Sequence, residues 1–301
     1  MSIRVSNRQG LILLLVGLLA MNGVARAAQT PSTERLEYTF SYRGIFSGFL
    51  SMRIAKAIFI LQPDGGRFAG RETRLAAMQV TTEPFGKAEM IYPIRYSYRS
   101  WLDREWRPLL VNEHLETDEV SEELLWFDQE GARVCRYVKR PDPVAAVASL
   151  PPRELLEQAG IASQQGRFME KAGQQPLAED TPVWDYLSML FYLRRAKLQA
   201  GSRLQLPVFN GKRFKHFQVE VTRERLQAGG WDRPAYRLDL SEKGRKRGIK
   251  TSIWISDDAQ RVPLRFYAKR AFGAFDGVLD PDPAGSGGLS EAARESLKLV
   301  F

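Results

Sequence analysis

The chain has 301 residues, 44% of them hydrophobic and 26% charged, with a formal charge of +9. That balance is ordinary for a globular protein and excludes a disordered or low-complexity chain. A single cysteine, Cys135, excludes an intramolecular disulfide, so stability must come from the core rather than from covalent staples.

Arg4 and Arg8 precede an uncharged apolar run over residues 11–21, and Val24-Ala25-Arg26-Ala27-Ala28 then supplies small residues. This three-part layout is that of a secretory signal, with cleavage expected after Ala27. The run is about half the roughly 20 residues that a membrane-spanning helix requires. No cysteine follows it to carry a lipid. The expected location is therefore the periplasm, and loss of three arginines from +9 leaves a mature chain of +6.

Residues 36–42 alternate apolar or aromatic with polar side chains, the mark of a half-buried strand. The alternation resumes over 49–54, and Pro63-Asp64-Gly65-Gly66 punctuates it with a turn. Further strands are expected at 70–76, 91–102, 108–116, 123–127 and 133–138, spaced as in a meander. The rhythm breaks between Pro141 and Pro182, which reads as a surface excursion with a short helix over 153–158.

One convincing helix follows, capped by Asp180 or Thr181 and entered through Pro182. Trp184, Leu187, Leu190 and Phe191 recur at helical spacing, Arg194 and Arg195 suit the negative end of its dipole, and Gly201 ends it. Strands return at 203–209, 214–226, 235–240, 251–256 and 262–268, with Asn210-Gly211 as a two-residue hairpin turn. Residues 281–301 form a Pro/Gly-rich linker and a tail. The expected layout is a signal over 1–27, one β-rich domain over 28–280 with an excursion at 141–182, and the tail.

Leu36-x-Tyr38 followed by Gly44-Ile45 and Gly48, the stretch Asp185-Tyr186-Leu187-Ser188 running into Tyr192-Leu193-Arg194-Arg195 and Gly201, and Ile253-Trp254-Ile255-Ser256-Asp257-Asp258 ahead of Arg261-Val262-Pro263 together resemble one family. It is the exported bacterial family of domain of unknown function thirty-one-oh-eight (DUF3108), and the resemblance spans residues 36–279. It implies a β-rich envelope domain with no established activity, shaped like the half-open barrels of periplasmic lipoprotein carriers. The excursion and the tail depart from the family's pattern.

Chemistry-bearing constellations are sparse. His114 shares a strand face with Asn112 and Glu116, but no third ligand is fixed for a metal, and His216 stands apart. Cys135 has no base beside it in sequence, and no Gly-x-Ser-x-Gly elbow marks a hydrolase. The acidic residues Glu113, Glu116, Asp118, Glu119, Glu122 and Glu123 lack the order of a calcium loop and read as a solvated hairpin tip. No cofactor and no metal is expected, and an exported chain meets little nucleic acid.

Two features point toward binding. Lys243, Arg245, Lys246, Arg247 and Lys250 crowd a loop between strands and suit an anionic surface or an acidic envelope protein. The aromatics Tyr38, Tyr42, Phe46, Trp184 and Phe191 form the core between sheet and helix or, if the sheet is curved and open, line an apolar pocket. The fold expected is mostly β: a curved antiparallel sheet closing toward a barrel or half-barrel, with one packed α-helix. The function expected is a non-enzymatic binding or chaperoning module for an apolar or lipidic envelope ligand. Its rivals are an interaction or structural protein without a small ligand and a hydrolase with a scattered site.

Overall fold

Period-two patterning dominates the folded chain, and it builds one antiparallel sheet. The computed structural model describes residues 33–143, 150–171, 175–177, 182–242 and 250–281. The expected signal, the basic run 243–249 and the tail 282–301 lie outside the described residues.

The N-terminal half supplies β1 (Glu34–Gly44), β2 (Met52–Gln62), the short β3 (Arg67–Phe68) and β4 (Arg71–Glu72), and β5 (Arg74–Thr81). A single helical turn and a half, α1 (Gly86–Ile91), leads into β6 (Arg95–Leu102), β7 (Pro108–Glu116), β8 (Val120–Asp128) and β9 (Arg133–Lys139). Then come α2 (Arg153–Gln158), β10 (Phe168–Glu170), β11 (Gln175–Pro176) and the principal helix α3 (Tyr186–Arg195). The C-terminal half is β12 (Arg203–Phe209), β13 (Phe214–Ala228), β14 (Trp231–Glu242), β15 (Lys250–Ser256), β16 (Pro263–Arg270) and β17 (Gly273–Leu279).

The main sheet follows the order β10-β9-β8-β7-β6-β5-β2-β1-β17-β16-β15-β14-β13-β12, with β11 pairing on β9, and β3 and β4 pair separately. The ladder does not close, yet the sheet curls until its ends approach: Phe127 of β8 meets Phe209 of β12 edge to face, with ring centroids 6.2 Å apart. The expected curved sheet with one packed helix is what forms.

Continuity of the sheet depends on β17, which pairs with both β1 and β16 and so joins the first strand to the C-terminal half. No strand was expected there, because Gly273 and Gly277 dilute the apolar signal of residues 274–279. Gly277 is required by its neighbour: Phe40 faces it across the ladder, and a Cβ at 277 would lie 2.4 Å from that ring. The loop after Phe209 also differs from expectation. Phe209 pairs with Phe214, so the connection has four residues, and the Asn210 carboxamide accepts from the Lys212 and Arg213 amides.

The excursion is no surface loop. Leu155, Leu156, Ile161 and Phe168 are buried, packing with Trp101, Leu110, Leu124 and Cys135 on the outer face of β6–β9. This half of the sheet is thus covered on both faces. Neighbouring residues serve opposite sides: Leu110 and Leu124 face the outer core while Val111 and Leu125 face the inner one. Cys135 is a core residue of the outer layer, and burial pushes its thiol up from the usual range.

The inner core surrounds α3. Asp185, not Asp180 or Thr181, caps the helix; the last two lie outside the described residues. Its carboxylate accepts from the Leu187 and Ser188 amides at 2.7 and 3.0 Å, and Ser188 Oγ accepts from the Asp185 amide at 2.9 Å. Residues before it are extended, and Trp184 bridges to Val208. Ala196, not Gly201, ends the helix in extended conformation, while Gly201 at φ 83° turns the chain into β12. Seven of the ten helical residues are buried, so α3 lies inside the curl of the sheet.

The antiparallel order gives the curled sheet two ends. The turns β1–β2, β5–β6, β7–β8, β12–β13 and β16–β17 stand at one, the mouth; β6–β7, β8–β9, β13–β14 and β15–β16 stand at the other, the base. Helix α3 runs from mouth to base. At its start Ser100 Oγ of β6 donates to Asp185 at 2.7 Å. At its end Arg194 forks onto Glu34 at 2.6 and 2.7 Å and donates to the carbonyls of Arg261 and Gln260.

Candidate functional site

Helix α3 leaves part of the sheet's inner face uncovered toward the mouth. The result is a cavity of ≈590 Å³. Leu187 and Leu190 of α3 form one wall, and Phe59, Met78, Phe217 and Phe266 of four different strands form the opposite one. Phe59 and Phe266 stack with centroids 5.5 Å apart, so this wall is rigid as well as apolar.

Polar groups are gathered where the cavity meets the mouth. Lys215 donates to the Tyr186 hydroxyl at 3.2 Å and pairs with Glu242 at 3.7 Å. Arg270 sits nearby and donates to its neighbour's carbonyl and toward Thr251. An apolar barrel with a few polar groups at one end binds small ligands by excluding water from the apolar part and orienting the polar part.

Tyr96 and Tyr98 of β6 also line the cavity, with Leu240 of β14 and Ile253 of β15. Burial holds both phenols well above the ordinary tyrosine value of about 10, with Glu113 adding to the effect at Tyr96 and Asp185 at Tyr98. Burial also pushes the Glu113 carboxyl up, against the Tyr96 hydroxyl that donates to it. Buried Tyr38 behaves like the other two phenols: burial is the main cause of its raised value, and it donates to the Pro263 carbonyl at 2.7 Å.

A phenol whose folded value lies above its unfolded value contributes stability in full below about pH 10 and loses it as pH rises past that point. The melting temperature is therefore expected to fall steeply above about pH 10, and less steeply in Tyr96→Phe/Tyr98→Phe. Equal slopes in an alkaline melting series would show that these phenols titrate normally.

Of the five aromatics expected at a pocket, none is among the side chains lining this cavity. Tyr38 lies one layer out, edge-on to both Phe59 and Phe266. Trp184 packs on Tyr192 with centroids 4.6 Å apart, and Phe191 stacks on Trp106 at 6.1 Å near the base. Tyr42 is buried, its hydroxyl donating to the Phe272 carbonyl at 2.6 Å, whereas Phe46 is 78% exposed on the β1–β2 turn. The residues that do form the cavity, Met78, Phe217 and Phe266 among them, carry ordinary strand alternation. Only the curl of the sheet brings them together.

Lys243, Arg245, Lys246 and Arg247 lie outside the described residues, and Lys250 opens β15. The acidic run is not a solvated tip throughout. Glu122 is buried and bound by Lys139 at 2.6 Å and by Asn112 Nδ2 at 3.1 Å, and Glu123 takes a bidentate fork from Arg136. Glu116, Asp118 and Glu119 remain at the turn. His114 is on β7 and His216, exposed, on β13.

Residues 163–280 match the model of the family described as "Protein of unknown function (DUF3108)". The family resemblance read in α3 and in β15–β16 therefore holds over that stretch, which begins before β10 and ends after β17. No curated protein matches the chain. A solved structure described as a beta-barrel-like protein of domain of unknown function DUF1849, from Brucella abortus, aligns over 81% of this chain and 94% of its own at 8% identity, with a TM-score of 0.48.

Proposed function

For a chain whose residues 163–280 carry the DUF3108 pattern, we propose a non-enzymatic module that holds an apolar or lipidic molecule between α3 and the concave face of the sheet. The observation that carries this reading is the ≈590 Å³ cavity, walled by aromatic and aliphatic side chains with its charged groups confined to the mouth. The volume is that of a small-molecule site. The ligand would place its apolar part against Leu190 and Phe266 and its polar end beside Lys215 and Arg270. In this reading the protein works in the periplasm after loss of residues 1–27.

The experiment is lipid extraction and mass spectrometry on protein purified from the envelope fraction, whose N-terminus should read Ala28, followed by titration with the fluorescent apolar probe N-phenyl-1-naphthylamine. Saturable binding is expected, weakened about tenfold or more in Leu190→Trp, where the indole occupies the space. An envelope preparation that carries no lipid and binds no probe would favour an interaction protein without a small ligand.

A further inference from the structure

Exposed apolar side chains are distributed unequally between the two ends of the sheet. Every large apolar side chain that is exposed among the described residues stands at the mouth end. The β1–β2 turn carries Phe46, Phe49 and Leu50, which are 78%, 65% and 73% exposed. The β5–β6 connection carries Met90 and Ile91 at 81% and 71%, and the β16–β17 turn carries Phe272 at 43%.

These three turns are neighbours in the sheet, since β5, β2, β1, β17 and β16 are consecutive in its order. Phe46 and Phe272 touch across two of them, with centroids 6.4 Å apart. The apolar residues thus form one arc along the rim. An arc of this kind on a globular surface marks an interaction site.

Charge selects the partner. Arg43, Arg53, Lys87 and Lys269 are exposed beside the arc, against the exposed carboxylate of Glu83. Arg43 donates to the Phe49 carbonyl at 2.9 Å, and Arg53 lies over the Phe85 ring at 5.8 Å, so both cations are held at the apolar turns. Farther along the same end of the sheet, the β12–β13 turn adds exposed Lys212 and Arg213. The carboxylates of Glu116, Asp118 and Glu119 are segregated on the β7–β8 turn at the other flank.

We propose that this arc docks the mouth of the domain on an anionic lipid bilayer. Apolar side chains projecting from separate turns, each bordered by cations, suit a fluid surface that closes around them: the apolar groups enter the acyl boundary and the cations meet phosphates. The acidic flank tilts the domain so that the basic turns face the membrane. Because Lys215, Glu242 and Arg270 line the cavity at this same end, docking places the cavity beside the lipid. The proposal rests on the rim alone and stands whether or not the cavity is filled.

The test is co-sedimentation of protein purified from the cells that make it with vesicles of mixed phosphatidylglycerol and phosphatidylcholine, at low and at high salt. Wild type is expected to sediment at low salt, and Phe46→Ser/Met90→Ser to bind about tenfold or more weakly, since each change removes a large apolar group from the contact. Lys87→Glu/Lys269→Glu should weaken binding to the mixed vesicles and not to pure phosphatidylcholine, in the manner of a screened charge effect. All four positions are exposed, so melting should be unchanged, and Leu190→Trp should sediment like wild type even if the cavity binds nothing. Equal sedimentation of wild type and Phe46→Ser/Met90→Ser, or no sedimentation of wild type, would overturn the proposal. So would a dimer in analytical ultracentrifugation that this double variant abolishes, because the arc would then belong to a second copy.

Discussion

Arg194→Ala is expected to lower the melting temperature by roughly 6–12 °C, from a loss of about 3 kcal/mol, the low end for breaking a buried ion pair in a chain of this size. Its side chain is 9% exposed and makes four hydrogen bonds that close the base of the sheet: two to Glu34 at the start of β1, and one each to the carbonyls of Arg261 and Gln260 in the β15–β16 turn. Arg261 itself has φ 52°, an unfavourable conformation for a residue with a side chain, and the Arg194 bond at 2.9 Å holds its carbonyl. Lysine at 194 keeps the charge but not the planar fork, so Arg194→Lys should recover little of the loss. Arg195, exposed one residue on, lies over Trp106 at 4.5 Å and provides the control. Similar melting shifts for Arg194→Ala and Arg195→Ala in thermal denaturation would show that the base clamp contributes nothing special.

The clamp matters for the cavity because a void in a protein interior is unfavourable and neighbouring elements tend to close it. Helix α3 cannot slide toward the uncovered sheet face while Asp185 is tied to Ser100 at one end and Arg194 to Glu34 at the other. The two tethers are polar, buried and far apart along the helix, and between them the cavity wall is supplied by Leu187 and Leu190. The tethers thus hold the helix at its two ends while Leu187 and Leu190 between them line the cavity.

Much of the sheet was legible in the sequence. Strands β7 and β12 have the bounds their alternation implies, 108–116 and 203–209. Alternation also reports burial on one face well: in β13, Val219 and Val221 are buried while Glu220 and Thr222 are exposed. Legibility failed where two competing signals overlapped. Adjacent apolar pairs such as Leu110-Val111 and Leu124-Leu125 announce a sheet covered on both faces, but the layer that covers β6–β9 comes from a stretch broken by prolines and reads locally as loop. The candidate site was hidden for another reason. Aromatic crowding in sequence points to Tyr38, Tyr42, Phe46, Trp184 and Phe191, whereas the cavity is assembled from one to three residues each of β2, β5, β6, β13, β14, β15 and β16 together with α3, whose proximity is a property of curl. Phe46 shows the limit most plainly, since the same aromatic serves a core, a pocket or a surface depending on a turn whose direction local sequence does not encode.

Phe168→Ala tests the reassigned excursion. Phe168 is fully buried, pairs through β10 with Lys139 of β9, and packs in the outer core with Leu155 and Leu156. If this layer completes the domain, truncating the ring removes buried apolar surface and leaves a cavity the rigid sheet cannot fill, costing about 3–5 kcal/mol. That is a large share of the roughly 5–15 kcal/mol that holds a domain folded, and it corresponds to a fall of roughly 6–20 °C in melting temperature. A surface excursion would behave differently, because changes at exposed sites usually stay within about 0.5 kcal/mol. Phe46→Ala supplies that comparison within the same protein: an aromatic of the same size, 78% exposed, whose removal should leave the melt unchanged. Calorimetry in which both variants melt with wild type would return the 141–182 stretch to the status of a loose loop, and loss of stability in Phe168→Ala alone would establish it as the second wall of the sheet.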